Sequence, residues 1–211
     1  YKLVTYSCAL QNHLVGPNER LSTPAYVEVG GEKFYEWNKT GFGRTMTPAV
    51  GFSFSSAVVT YQLAQRIKID RLSQCGHAWG FGAPTGIDLP GEVSGVVPDQ
   101  AWAQGAINRG LYDGEVLQSA LGQGYDLVTP IQLLNAYAAL ANGGTLYKPQ
   151  LVRDIVGPDG KVVQAFEPQV LRKLDVSSKV LQTMREASRN VVLVRHTYNL
   201  VDLPIKVAGK S

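Results

Sequence analysis

Between Gly80 and Pro98 the chain turns to glycine, proline, serine and threonine, yet an apolar residue interrupts the run every two or three positions. Turn-forming residues set the backbone direction, and regularly spaced apolar side chains need somewhere to pack. The stretch therefore predicts a structured loop laid on a core, not a flexible linker. Upstream of it, Leu3, Tyr6, Leu10 and Leu14 fall at helical spacing in residues 2–14, and the pattern stops at Gly16-Pro17. Residues 25–29 and 33–37 alternate on either side of Gly30-Gly31, the pattern of a β-hairpin. Thr47-Pro48 opens a long apolar-periodic segment reaching about Lys68, with Phe54, Val58, Tyr61 and Leu63 near one side. Threonine before the first turn and proline within it suit a helix start. A further helix is expected over residues 70–79.

Downstream, Thr129-Pro130 opens a helix that places Leu133, Leu134, Tyr137, Leu140 and Ala141 inward and closes at Asn142-Gly143-Gly144. Strands are expected at residues 146–156 and 161–163, joined by the turn Gly157-Pro158-Asp159-Gly160. A helix over 177–192 and a final strand from about Ile205 complete the pattern. It predicts one mixed α/β domain, mainly helical, with a smaller sheet near the C-terminal end. The chain begins inside an apparent helix and stops at Lys210-Ser211 inside an apparent strand. Domains seldom end where backbone hydrogen bonds would still be running, so a piece of a longer polypeptide is expected.

Composition narrows the function classes. Among 211 residues, 20 Lys and Arg against 17 Asp and Glu leave a net charge of +3. Without a Lys/Arg block this gives no electrostatic case for nucleic acid. No apolar run approaches the ~18–20 residues that span a bilayer. Tyr1-Lys2-Leu3-Val4-Thr5 turns polar too early for a signal peptide. Three histidines and two cysteines build no zinc site at any usual spacing. Cys8 and Cys75, far apart, leave the redox compartment open. Taken alone, Lys2 reads as a solvated lysine, Ser55-Ser56 as a polar pair within a helix, and Lys210-Ser211 as a strand end. Asp88 and Glu92 read as turn and capping residues, and His13, His77 and His196 as surface or packed side chains. Residue patterns by themselves reach only a soluble α/β domain.

The run Phe81-Gly82-Ala83-Pro84-Thr85-Gly86-Ile87-Asp88-Leu89-Pro90-Gly91-Glu92 is followed by Gly122-Gln123-Gly124-Tyr125 and Val128-Thr129-Pro130-Ile131-Gln132. In that order these strings resemble the transpeptidase domain of class B penicillin-binding proteins, most of all the elongation-type group called penicillin-binding protein two. The resemblance extends from Lys2 to Ser211. It implies a D,D-transpeptidase that cross-links peptidoglycan stem peptides, is acylated by β-lactams and needs neither metal nor organic cofactor. It also implies a membrane-anchored parent protein whose catalytic domain lies outside the cytoplasmic membrane. The implied fold is that of serine β-lactamases and penicillin-binding proteins, a mostly antiparallel five-stranded sheet packed by helices, with a helical lobe.

Three short elements build the site of that family. Lys2-Leu3-Val4-Thr5 resembles the end of the first, Ser-x-x-Lys, which implies Lys2 as its lysine and a nucleophilic serine two positions ahead of Tyr1. That serine lies outside the sequence, so the chain by itself is expected to have no acyl-transfer activity. Ser55-Ser56-Ala57 resembles the second, Ser-x-Asn, with Ser55 as its serine and Ala57 where the family has asparagine or aspartate. Lys210-Ser211 matches the start of the third, Lys-(Ser/Thr)-Gly. The residue types suit the chemistry: a serine hydroxyl is a poor nucleophile until a neighbouring base takes its proton, and a lysine one helical turn away reaches the same face. Ser55 would relay protons, Lys210 would hold the substrate carboxylate, and Ser211 would hydrogen-bond it. Two departures stand out. Ala57 lacks the amide that would hydrogen-bond the substrate, a loss of roughly 1–3 kcal/mol, and leaves open a non-catalytic β-lactam or peptidoglycan sensor of the same fold. His196-Thr197 stands where a small residue before threonine is usual, which bears on the loop ahead of the last strand.

Overall fold

A computed structural model describes residues 1–195 and 197–210, with the side chains of 195 and 197–199 left aside. His196 and Ser211, and with them the expectations placed on those two residues, lie outside it. The first helix, α1 (Lys2–Gln11), is the centre of the molecule rather than an amphipathic surface element. Its residues Leu3 to Leu10 are all buried, and it lies against helices of both halves of the chain. It ends before Leu14, because Asn12 Nδ2 donates to Cys8 O at 2.9 Å and His13 takes the left-handed conformation at φ 54°. Leu14 N then closes the end on Ala9 O at 2.9 Å, as in a Schellman motif. Polar groups tie α1 inward as well: Thr5 Oγ1 donates to Ala120 O, and the Tyr6 and Thr60 hydroxyls share a bond of 3.2 Å.

The hairpin forms as expected from β2 (Tyr26–Val29) and β3 (Glu32–Tyr35), in antiparallel register after the short strand β1 (Leu21–Ser22), which pairs with β4 (Thr45–Met46). Gly30 and Gly31 stand at φ 61° and 82°, the two left-handed positions that a tight hairpin turn of this kind needs. The long segment after Pro48 is not one helix. It splits into α2 (Pro48–Ser53) and α3 (Ala57–Ile67), and Ser55 between them turns to φ 56°. α4 (Ile69–Ala78) follows as expected. Cys8 of α1 and Cys75 of α4 are joined in a disulfide, Cα to Cα 6.0 Å, which the sequence alone left open.

Residues 80–98 form the structured loop, and their carboxylates act as caps and ties. Glu92 accepts from Thr85 N, Thr85 Oγ1 and Gly86 N, and Asp88 pairs with Lys148 at 2.8 Å. Two helices that the pattern did not announce come next, α5 (Gln100–Ile107) and α6 (Asp113–Leu121). α7 (Pro130–Ala141) begins at a Thr129–Gln132 capping box. Its inward face is Gln132, Ala136, Ala139 and Leu140, whereas Leu133, Leu134 and Ala141 are partly or largely exposed. The face is rotated because the Gln132 amide is needed inside, where it donates to Ala83 O and Ser94 O at 2.8 and 2.9 Å and holds the loop down.

The expected strand over 146–156 is two: β5 (Thr145–Tyr147) and β6 (Asp154–Val156), with Pro149 between them removing a ladder donor. β6 pairs with β7 (Val162–Ala165) across the Gly157–Gly160 turn, and β5 pairs with β8 (Val170–Lys173). Among the described residues every ladder is antiparallel and two-stranded, so the five-stranded sheet is not assembled there. α8 (Ser178–Arg195) and a 3₁₀ turn (Thr197–Asp202) lead to residues 203–210. Among the described residues no strand begins near Ile205; the segment runs beside α8, where Gly209 N donates to Ser188 O at 3.1 Å and Arg189 Nη1 to Val207 O at 2.7 Å. The result is an α/β fold, helices around α1 with antiparallel strands at the periphery. Among the described residues no helix is long and apolar enough to cross a membrane.

Candidate active site

The start of α1, the turn between α2 and α3, and the tail after α8 meet at one cleft of about 630 Å³. Lys2, Ser55, Ala57 and Lys210 all line it. Lys2 is the first residue of α1, so its side chain leaves the core helix at its open end. Its Nζ donates to Ser55 O at 2.9 Å and to Ser55 Oγ at 3.1 Å. The backbone ahead of it is seated tightly: a Cβ on Gly122, which stands at φ 82°, would meet Tyr1 Cβ at 2.4 Å. Only glycine allows that approach. This is a physical reason for the first glycine of the Gly-Gln-Gly string, whose Gln123 lines the cleft.

Ser55 reaches Lys2 because the chain breaks there. Ser56 caps α3, its Oγ accepting from Val59 N at 3.1 Å, while Ser55 adopts the left-handed conformation that turns its carbonyl and hydroxyl toward Nζ. Ala57, the first residue of α3, lines the cleft, with its backbone N–H committed to Glu36 Oε1 at 2.7 Å. Lys210 brings a second lysine to the cleft, with Nζ 5.5 Å from the centre of the Phe52 ring. A positive charge on such a concave surface favours an anionic ligand. Ser211 lies outside the described residues, so three of the four side chains singled out for the site, with Ala57, are brought together.

The hairpin supplies what sequence patterns missed. Tyr35 and Trp37 line the cleft from one face of the β3 end, and Glu36 between them points the other way into the interior, where it is 1% exposed. The alternation of residues 33–37 placed Glu36 opposite the two aromatic residues but could not say what it meets. Tyr137 and Leu133, one turn apart on α7, complete the wall.

This chain belongs to the penicillin binding protein transpeptidase domain family, which it matches over residues 1–211. It is 31% identical over 212 residues to the peptidoglycan D,D-transpeptidase MrdA of Haemophilus influenzae, covering 96% of this chain and 32% of that protein. Penicillin-binding protein PBP2 from Helicobacter pylori superposes with a TM-score of 0.82 at 29% identity, covering 98% of this chain and 38% of that one. Penicillin binding protein 3 from Mycobacterium tuberculosis, in a complex with aztreonam, gives 0.72 at 30% identity over 90% of this chain and 40% of that one. The chain thus spans about a third of the curated relative's length.

Proposed function

We propose that this chain is the acyl-transfer module of an elongation-type peptidoglycan D,D-transpeptidase that cross-links stem peptides and is acylated by β-lactams. The observation that carries the reading is the pair of bonds from Lys2 Nζ to Ser55 in a cleft that Lys210 also lines. In the full polypeptide the nucleophile is the serine two positions ahead of Tyr1. Its hydroxyl oxygen attacks the peptide or lactam carbonyl carbon, and its proton passes to Lys2. Ser55 relays a proton to the scissile nitrogen as its bond to the carbonyl carbon breaks: the amine of a peptide departs, whereas the nitrogen of an opened lactam stays tethered to the acyl group. An incoming amine then takes the acyl group and frees the serine. Lys210 and Ser211 hold the substrate carboxylate. General acid–base help of this kind is worth ~10²–10⁴ in rate.

A site outside the cytoplasmic membrane suits the Cys8–Cys75 disulfide, since such bonds persist in oxidising compartments. Aztreonam bound to the mycobacterial relative supports a lactam as ligand. The test is to give the full-length polypeptide a stem-peptide substrate and follow cross-linked dimers by mass spectrometry. Dimers that vanish when the upstream serine is replaced by alanine are expected; absence of dimers from the unaltered protein contradicts the activity. Ala57 favours a second reading, a sensor of the same fold, and lactam acylation without any cross-linked product is its signature.

A further inference from the structure

Ser55 is held from both sides by the end of one strand. On its N-terminal side, Trp37 Nε1 donates to Phe54 O at 3.3 Å. On its C-terminal side the buried Glu36 carboxylate accepts from Ser56 Oγ at 2.5 Å, Ala57 N at 2.7 Å and Val58 N at 3.2 Å. The last two are unpartnered donors of the first turn of α3, where a negative charge also suits the helix dipole. Oε1 further accepts from Trp37 N at 3.0 Å, and Glu36 N is fixed on Ala25 O at 2.8 Å. Ser55, at φ 56°, is therefore a non-glycine residue in a costly conformation between two anchors. A carboxylate sequestered in the interior needs its donors, and these are the backbone and hydroxyl groups that set where Ser55 points.

The geometry points to Glu36 as a positioning residue that clamps the α2–α3 turn to the hairpin and aims Ser55 at Lys2. Because Tyr35 and Trp37 line the cleft on either side of Glu36, the clamp also makes the cleft wall and the Ser55 turn one unit. Loosening it lets Ser55 leave the left-handed conformation and swing its hydroxyl away from Nζ, with no loss of any group that touches substrate. The inference rests on the acyl-transfer reading above.

The test uses the full-length polypeptide and a fluorescent penicillin, with the limiting acylation rate separated from the pre-covalent dissociation constant. Glu36→Gln turns one acceptor into a donor facing other donors; the limiting rate is expected to fall at least tenfold while the dissociation constant changes less than threefold. Ser56→Ala, which keeps the two backbone bonds to Glu36, is expected to give a smaller fall in the same parameter. Asp99→Ala removes a helix cap that does not line the cleft, where Asp99 accepts from Trp102 N at 2.6 Å. It lowers the melting temperature but leaves the limiting rate unchanged, which separates positioning from general stability. Unaltered limiting rates in Glu36→Gln and Ser56→Ala overturn the inference, as does a fall in Asp99→Ala that matches theirs. If Glu36→Gln does not fold, Ser56→Ala alone decides. An unaltered protein that takes no label contradicts the acyl-transfer reading instead.

Discussion

Ser55 is a residue whose backbone cost and chemical use can be separated. Its left-handed φ of 56° is one that glycine adopts freely, while its hydroxyl is one of the two groups bonded to Lys2. Ser55→Gly in the full polypeptide is expected to leave stability within ~1 kcal/mol of the unaltered protein, or above it. The same change is expected to lower the acylation rate ~10²-fold. A parallel loss of both, read by thermal melting and labelling kinetics, contradicts the role. Asp126, just past the Gly-Gln-Gly-Tyr string, is another separable residue. Burial pushes its carboxyl up to about 7. The folded protein thus keeps a proton that the unfolded chain, with an ordinary carboxyl near ~3.9, releases. The stability this contributes is full below the unfolded value and is lost as pH rises toward about 7. Asp126→Asn is expected to flatten that slope, gaining on the unaltered protein at pH 8 more than at pH 4. Melting curves that stay parallel across this range refute it.

At the scale of elements, α1 concentrates the design. A helix buried on nearly every side carries Lys2 at one end, and its cysteine ties it to α4 across a sequence separation of 67. Closing a loop of that length restricts the unfolded chain by ~4 kcal/mol. The double change Cys8→Ala and Cys75→Ala is therefore expected to lower the melting temperature by on the order of 10 °C; a shift below 3 °C contradicts a stabilising staple. Which elements the sequence disclosed follows from where their causes lie. The Gly-Gly hairpin and the Thr-Pro start of α7 have local causes and were legible. α5 was not, because it buries only Ala103 and so shows no apolar stripe, and α6 carries a glycine in its first turn. The break before α3 was hidden for another reason: Glu36, which caps it, lies 21 residues before Ala57, and helical periodicity continues across the gap. The disulfide and the turned face of α7 are likewise tertiary effects, invisible in any window.

For the whole molecule, the first helix, a turn a quarter of the way along and the tail converge on one cleft although nothing local links them. Patterns of residues alone stopped at an α/β domain; Lys2, Ser55 and Lys210 were legible only through three short motifs, and the fold supplies the distances between them. Among the described residues the tail also departs from the final strand the residue pattern predicts, running beside α8 and still delivering Lys210. The convergence claim is tested most directly by labelling the full-length polypeptide with a fluorescent penicillin, unaltered and as Lys2→Ala, and resolving the covalent adduct on a denaturing gel. One label per chain, formed ~10²–10⁴-fold more slowly in a Lys2→Ala protein that melts as a folded domain, is the predicted result. Equal labelling of the two proteins, or no label on the unaltered one, contradicts it.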